Sequence, residues 1–224
     1  MELNGIKNLV FDLGGVLIHY RWKDMLCDYG LTPEEAERVG AEMFDNPQDL
    51  WHEFDLGNFD TEAAVAAYRE AFPEDGDAIE WFIRHGEYMH VPRPRVWKLV
   101  HELKDAGWPI YLLSNYPEEL FLKHTEYADF MQDLDGMVVS YKVRLGKPDP
   151  AIFRCLCEKY ALTPQECLFF DDREANIEGA AAIGMAGRQV FTQEGLIEDL
   201  EKILAGEALA KRKGCGLPGR LPEK

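Results

Sequence analysis

Four short, wholly apolar runs restrict the fold of this chain more than any other feature. They are Leu9-Val10-Phe11, Ile110-Tyr111-Leu112-Leu113, Met137-Val138-Val139 and Cys167-Leu168-Phe169-Phe170. A weaker run, Arg188-Gln189-Val190-Phe191, follows. A strand with one wet face alternates apolar and polar residues. These runs do not alternate, which predicts strands buried on both faces of a parallel sheet. Helical patterns lie between them. Over 94–106, Val96, Leu99, Val100 and Leu103 share one face, and Gly107 supplies a stop. Over 150–160 the pattern repeats with Ile152, Leu156 and Tyr160, and 174–183 is rich in Ala and Glu. This alternation predicts an α/β fold: a Rossmann-like, doubly wound parallel sheet with helices on both faces.

The alternation breaks between about 20 and 90, where no convincing strand is legible. Thr32-Pro33-Glu34-Glu35 is a capping box with proline at the first helical position. Asp60 can cap a helix carrying Val65, Tyr68 and Phe72, and Trp51, Phe54, Trp81 and Phe82 supply apolar bulk. The predicted division is an α/β core of 1–18 and 91–205, an all-helical insertion over 19–90, and a disordered tail over 206–224. From 211 onward the tail has five bases, one acid, three Gly, two Pro and no aromatic residue.

Composition removes several functions. The 224 residues are enough to bury a real core. A net charge of −17 makes a poor general nucleic-acid binder, because such affinity comes from many Lys and Arg contacts. Residues 33–77 hold 14 acids and only Arg38 and Arg69 as bases, which reads as solvated helix faces. No apolar run approaches the roughly 20 residues of a membrane span, and Met1-Glu2-Leu3-Asn4 opens no secretory signal. Five cysteines without paired CxxC motifs argue against a disulfide framework or a zinc site and for a reducing, cytoplasmic setting. There is no HExxH, and neither Ser114 nor Ser140 lies in GxSxG.

The chemistry gathers behind the strands. Asp12-Leu13-Gly14-Gly15 follows the first, Ser114-Asn115 the second, Lys147-Pro148 lies beyond the third, and Asp171-Asp172 follows the fourth. In a doubly wound sheet these loops share the carboxyl edge, where ligands bind. Singly, each has a plainer reading: a turn at Asp12, helix caps at Ser114 and Asp171, a solvated lysine at Lys147. Together they gather three carboxylates, a hydroxyl, an amide and a lysine. Clustered carboxylates repel one another unless a cation intervenes. Hard oxygen ligands suit Mg²⁺, which then admits an anionic substrate. The set points to phosphoryl transfer through an aspartyl-phosphate.

The chain resembles the haloacid dehalogenase-like (HAD) hydrolases. The residues that carry this are Phe11-Asp12-Leu13-Gly14-Gly15-Val16-Leu17, Leu113-Ser114-Asn115, Gly146-Lys147-Pro148-Asp149-Pro150 and Phe170 to Ala180, including Asp171-Asp172-Arg173 and Asn176. The likeness spans roughly 6–200, and within the family it is greatest to bacterial sugar-phosphate phosphatases of the glucose-1-phosphate type. The resemblance implies that the helical insertion is a cap over the site. It also implies a Mg²⁺-dependent phosphomonoester hydrolase acting on a small phosphorylated metabolite such as a sugar phosphate. Asp12 is then the nucleophile and a metal ligand, with the Gly14 carbonyl, Asp172 and, through water, Asp171 as further ligands. Ser114, Asn115 and Lys147 hold the phosphoryl group, Lys147 also steadies Asp12, and Asn176 orders the acidic loop. The protein is expected to work as a monomer or homodimer, without nucleic acid or membrane.

One departure stands out. Most phosphatases of the family carry a general acid two residues after the nucleophile, and here that residue is Gly14. A cap residue could replace it, with His19, His52, His85 or Glu53 as titratable candidates. A good leaving group or slow catalysis would serve equally. The rival readings are a 2-haloacid dehalogenase, which lacks the acidic pair, a receiver-like phosphoacceptor, and a catalytically weak metabolite-binding relative. Trp22, Trp51, Phe54 and Trp81 either select the leaving group or pack the cap.

Overall fold

The computed structural model describes residues 3–209. Its elements begin with β1 (Asn8–Phe11), β2 (Ile18–Tyr20), α1 (Trp22–Tyr29), α2 (Pro33–Phe44), α3 (Leu50–Asp55), α4 (Thr61–Ala71) and α5 (Gly76–Arg84). They continue with β3 (His90–Pro92), α6 (Pro94–Asp105), β4 (Ile110–Ser114), α7 (Glu118–Thr125), β5 (Gly136–Val139) and α8 (Ser140–Val143). Last come α9 (Pro150–Tyr160), β6 (Cys167–Asp171), α10 (Glu174–Ala181), β7 (Ala186–Gln189) and α11 (Gln193–Leu204).

The apolar runs are continuous because both sheet faces are covered. Successive side chains of a strand point to opposite faces. Leu9, Phe11, Leu112, Leu168 and Phe170 pack toward α6 and α11, with Val96, Val100, Leu200 and Ile203. Val10, Leu113, Val138 and Phe169 pack on the other face with Ile152, Phe153 and Leu156 of α9. The register sets Leu9 beside Ile110 and Leu168, and Phe11 beside Leu112 and Phe170. The Phe11 and Phe170 rings stack at 5.1 Å.

The sheet is wholly parallel, in the order β5-β4-β1-β6-β7. The chain leaves β1 toward β4 and β5, then returns past β1 to β6. Order therefore reverses at β1, and a crevice opens beyond its carboxyl end. The strand expected over 188–191 is observed at Ala186–Gln189.

Helices α1 to α5 follow the local signals. Both halves of the capping box form at Thr32 and Glu35, and the Asp60 carboxylate accepts from the Ala63 N–H. Met25, Val39, Met43, Phe54, Tyr68 and Phe82 are buried. The acidic faces are laced by three arginines: Arg38 pairs with Glu42 and Asp75, Arg69 with Asp77 and Glu80, and Arg84 with Glu62 and Glu80. The antiparallel ribbon of β2 and β3, missed in the sequence, stands at the two ends of this helical stretch. Each strand has only three residues and pairs across about 70 positions, so no local pattern reveals it. Of the expected tail over 206–224, residues 210–224 lie outside the described residues, whereas Leu209 is buried in the core.

Candidate active site

Each strand at the switch point delivers a functional group. Asp12 follows β1 with its N–H held by the Phe170 carbonyl at 2.9 Å. Ser114 ends β4, and its hydroxyl donates to Asp12 Oδ1 at 2.6 Å. Asp171 ends β6. Lys147 comes from the loop before α9, and its ammonium bridges Asp12 Oδ1 at 2.8 Å and Asp171 Oδ2 at 2.7 Å. It is only 2% exposed. A buried ammonium survives only when paired, so this lysine and these carboxylates stabilise one another.

The hydrogen bonds sort the oxygens into committed and free. Asp12 Oδ1 accepts from Leu13 N, Ser114 Oγ and Lys147 Nζ. Oδ2 accepts from no described residue. Asp171 is saturated: Arg173 N and Asn176 Nδ2 donate to Oδ1, and Lys147 and Asn176 to Oδ2. The Asp172 carboxylate takes no hydrogen bond from any described residue. Asn115 is engaged at both ends of its amide, donating to the Lys147 carbonyl at 2.9 Å and accepting from the Lys147 N–H at 2.8 Å. It clamps the lysine loop to the end of β4.

The carboxylates of Asp12, Asp171 and Asp172 bring ligand oxygens within 4.8 Å of one another. Burial, and then Asp171, push the Asp12 carboxyl up to about 6 against the opposing pull of Lys147. Burial, with Asp171 and Asp12, pushes Asp172 up to about 7. One lysine does not balance three acids. Free oxygens on Asp12 and Asp172, in a site short of positive charge, fit a hard divalent cation.

The glycines after Asp12 are fixed by what approaches them. Gly15 has φ 71°, and a Cβ there would lie 2.6 Å from the Asp172 carboxyl. At Gly14 a Cβ would lie 2.3 Å from the Tyr20 hydroxyl. Arg93, at the start of α6, donates to the carbonyls of Gly15 at 2.7 Å and Val16 at 2.9 Å and so tethers this loop. Sequence reasoning missed Arg93, because nothing local marks a partner 77 residues away.

Above these groups lies a cavity of about 130 Å³. Its floor holds Asp12, Ser114, Asn115, Lys147 and Asp172, and Gly14 and Asn176 also line it. Trp22, Phe44, Trp51, Met89 and Leu120 make much of its wall, joined by Asp55 and Arg173. Seven of the eight expected site residues therefore line this cavity, and the eighth, Asp171, is fully buried and bonded to Lys147. His19, His52, His85 and Glu53 do not line it. His85 instead stacks on Trp81, and Glu53 accepts from Asn58. Of the four aromatics singled out earlier, Trp22 and Trp51 reach the cavity, while Phe54 and Trp81 do not.

Fold and site together define an α/β protein with a carboxylate-rich pocket at the switch point of its sheet. The chain belongs to the haloacid dehalogenase-like hydrolases, whose family pattern matches residues 6–184. It is 27% identical over 190 residues to a phosphorylated carbohydrates phosphatase of Thermotoga maritima, covering 80% of this chain and 82% of the relative. It is 24% identical over 188 residues to (S)-2-haloacid dehalogenase 4A of Burkholderia cepacia, covering 81% of each. Its fold is similar to that of the HAD family enzyme BT-2542 of Bacteroides thetaiotaomicron, solved in complex with magnesium and inorganic phosphate. The TM-score is 0.64 at 23% identity, over 82% of this chain and 93% of that one.

Proposed function

We propose that the chain is a Mg²⁺-dependent phosphomonoester hydrolase acting through an aspartyl-phosphate on a small phosphorylated metabolite. The observation that carries this is the Asp12–Lys147–Asp171 bridge with Asp172 beside it, uncommitted. A dehalogenase needs no acidic pair, whereas a metal-assisted phosphatase does. When bound, Mg²⁺ held by Asp12, the Gly14 carbonyl and Asp172 would offset phosphate charge and polarise a phosphoryl oxygen. The magnesium and phosphate bound by BT-2542 support the same reading.

Asp12 attacks phosphorus through one of its carboxylate oxygens. Lys147 and Ser114 keep the carboxylate oriented, and the third ammonium hydrogen of Lys147 and the second amide hydrogen of Asn115 are left to donate to the phosphoryl oxygens. Helices α1 to α5 serve as the cap, excluding water with Trp22, Phe44 and Trp51. A sugar phosphate suits walls of aromatic faces interrupted by Asp55 and Arg173, since C–H faces stack on the rings while hydroxyls meet the polar pair. The test is hydrolysis of p-nitrophenyl phosphate with and without Mg²⁺, beside Asp12→Asn. Turnover that requires both supports the proposal. Chloride release from 2-haloacids without phosphatase activity would replace it with the dehalogenase reading.

A further inference from the structure

Position 14, two residues after Asp12, carries no proton donor for a poor leaving group, and the structure explains why a side chain there is excluded. Tyr20 fills the space a side chain there would occupy. The Tyr20 hydroxyl is itself engaged with Tyr116. Tyr116 in turn donates to His124 Nδ1 at 2.6 Å, because His124 Nε2 must donate to the Gly86 carbonyl at 2.7 Å. That chain of bonds packs the ribbon against the core and leaves Tyr20 committed.

Asp55 lines the same cavity as Tyr20 and Tyr116. It ends α3 and lines the same wall as Trp51 and Phe44. Its position is set from the core: the Ser140 hydroxyl donates to the Asp55 carbonyl and accepts from the Tyr116 N–H at 2.9 Å. Its carboxyl receives no hydrogen bond from any described residue. A polar group placed so, without a partner and facing a cavity, is available to a ligand.

We propose that Asp55 is the acid–base residue of the reaction, an inference that rests on the phosphomonoesterase reading above. In the first half, the Asp12 oxygen bonds to phosphorus as the ester P–O bond breaks. The bonding pair leaves with the alcohol oxygen, and the Asp55 carboxyl proton goes to that oxygen. In the second half, a water oxygen bonds to phosphorus as the aspartyl O–P bond breaks, and the Asp55 carboxylate takes the proton that the water loses. Phosphate and alcohol leave, and both carboxyls return to their starting forms.

The surroundings suit the role. Burial, and then the charge of Asp12, push the Asp55 carboxyl well above the ordinary carboxylate range, while Arg173 and Lys147 pull it down. Arg173 offers a counter-charge once the proton has left.

The test compares phosphoenzyme formation in acid-quenched single turnovers with Mg²⁺, using p-nitrophenyl phosphate and a simple alkyl phosphate. General acid–base help is worth about 10²–10⁴-fold. Asp55→Asn should lose that much on the alkyl ester and less than about tenfold on the nitrophenyl ester, whose leaving group needs little protonation. Asp55→Glu should regain part of the alkyl ester rate. Equal losses on both esters, or none, would overturn the proposal, because a merely structural residue does not discriminate leaving groups. A wild-type protein that forms no phosphoenzyme from either ester would instead sink the phosphatase reading itself.

Discussion

Tyr20 and Gly14 share one volume: a Cβ on residue 14 would meet the Tyr20 ring at 2.3 Å and its hydroxyl at 2.3 Å. The absent side chain two residues after Asp12 and the tyrosine on β2 are therefore one structural fact.

Restoring a carboxylate at that position should fail unless the tyrosine shrinks. Overpacking a closed site costs about 1–3 kcal/mol, which is a few degrees of melting temperature for a chain of this size. Gly14→Asp alone should show that loss, and Gly14→Asp with Tyr20→Ala should recover most of it. Calorimetry of the three proteins checks this. A Gly14→Asp protein as stable as wild type would show that Tyr20 moves aside freely.

The metal requirement should reside in Asp172. Its carboxylate has no partner among the described residues, and its removal leaves the bridge between Lys147, Asp12 and Asp171 intact. A cation that binds only the folded protein stabilises it by about 2.7 kcal/mol at one hundred times its dissociation constant. Mg²⁺ should raise the wild-type melting temperature and leave that of Asp172→Asn nearly unchanged. It should also be needed at much higher concentration for Asp172→Asn turnover. Identical Mg²⁺ titrations for the two proteins would remove Asp172 from the metal site.

Acid should weaken the contact between ribbon and core through His124. Burial pulls this imidazole down from 6.5 to about 4. The unfolded chain takes up a proton near pH 6.5, whereas the folded one resists until about pH 4. The neutral ring's stabilisation is complete above pH 6.5 and declines as pH falls toward 4, by about 3 kcal/mol in all. Denaturant titrations across this window should show the slope, and His124→Gln should flatten it. An unchanged slope in the variant would assign the acid sensitivity to other groups.

The tether from Arg93 should govern the loop that presents Asp12. Arg93→Ala deprives the Gly15 and Val16 carbonyls of charged donors, and bonds of that type contribute about 1.5–3 kcal/mol each. Activity should fall by at least tenfold, with a lower melting temperature, although Arg93 does not line the cavity. Full activity in Arg93→Ala would show that the loop holds its shape by its glycines alone.

Much of the core was legible because its signals are local. Continuous apolar runs marked β1, β4, β5 and β6, and capping residues marked α2 and α4. The polar groups behind each strand could be assigned to one edge because parallel strands leave no alternative. Asp12, Ser114, Lys147 and Asp171 gather there as expected. Asn115 illustrates the limit. Its residue type suits a phosphoryl ligand, and one amide hydrogen is left for that, but the amide also clamps the Lys147 backbone at both ends, a pairing across 32 residues that no window reveals.

The same limit explains Asp55, Tyr20 and Arg93. An aspartate at the end of a short acidic helix reads as one more solvated charge, because sequence conveys a residue's type but not what faces it. The sequence by itself determined the order of strands and helices and the chemistry each strand end carries, since burial on both faces and helix capping act over a few residues. The tertiary structure decided which oxygens are free, which side chain fills the space over Gly14, and which acid of the helical insertion faces the cavity. Those are properties of packing between segments distant in sequence, and they exist only once the segments meet.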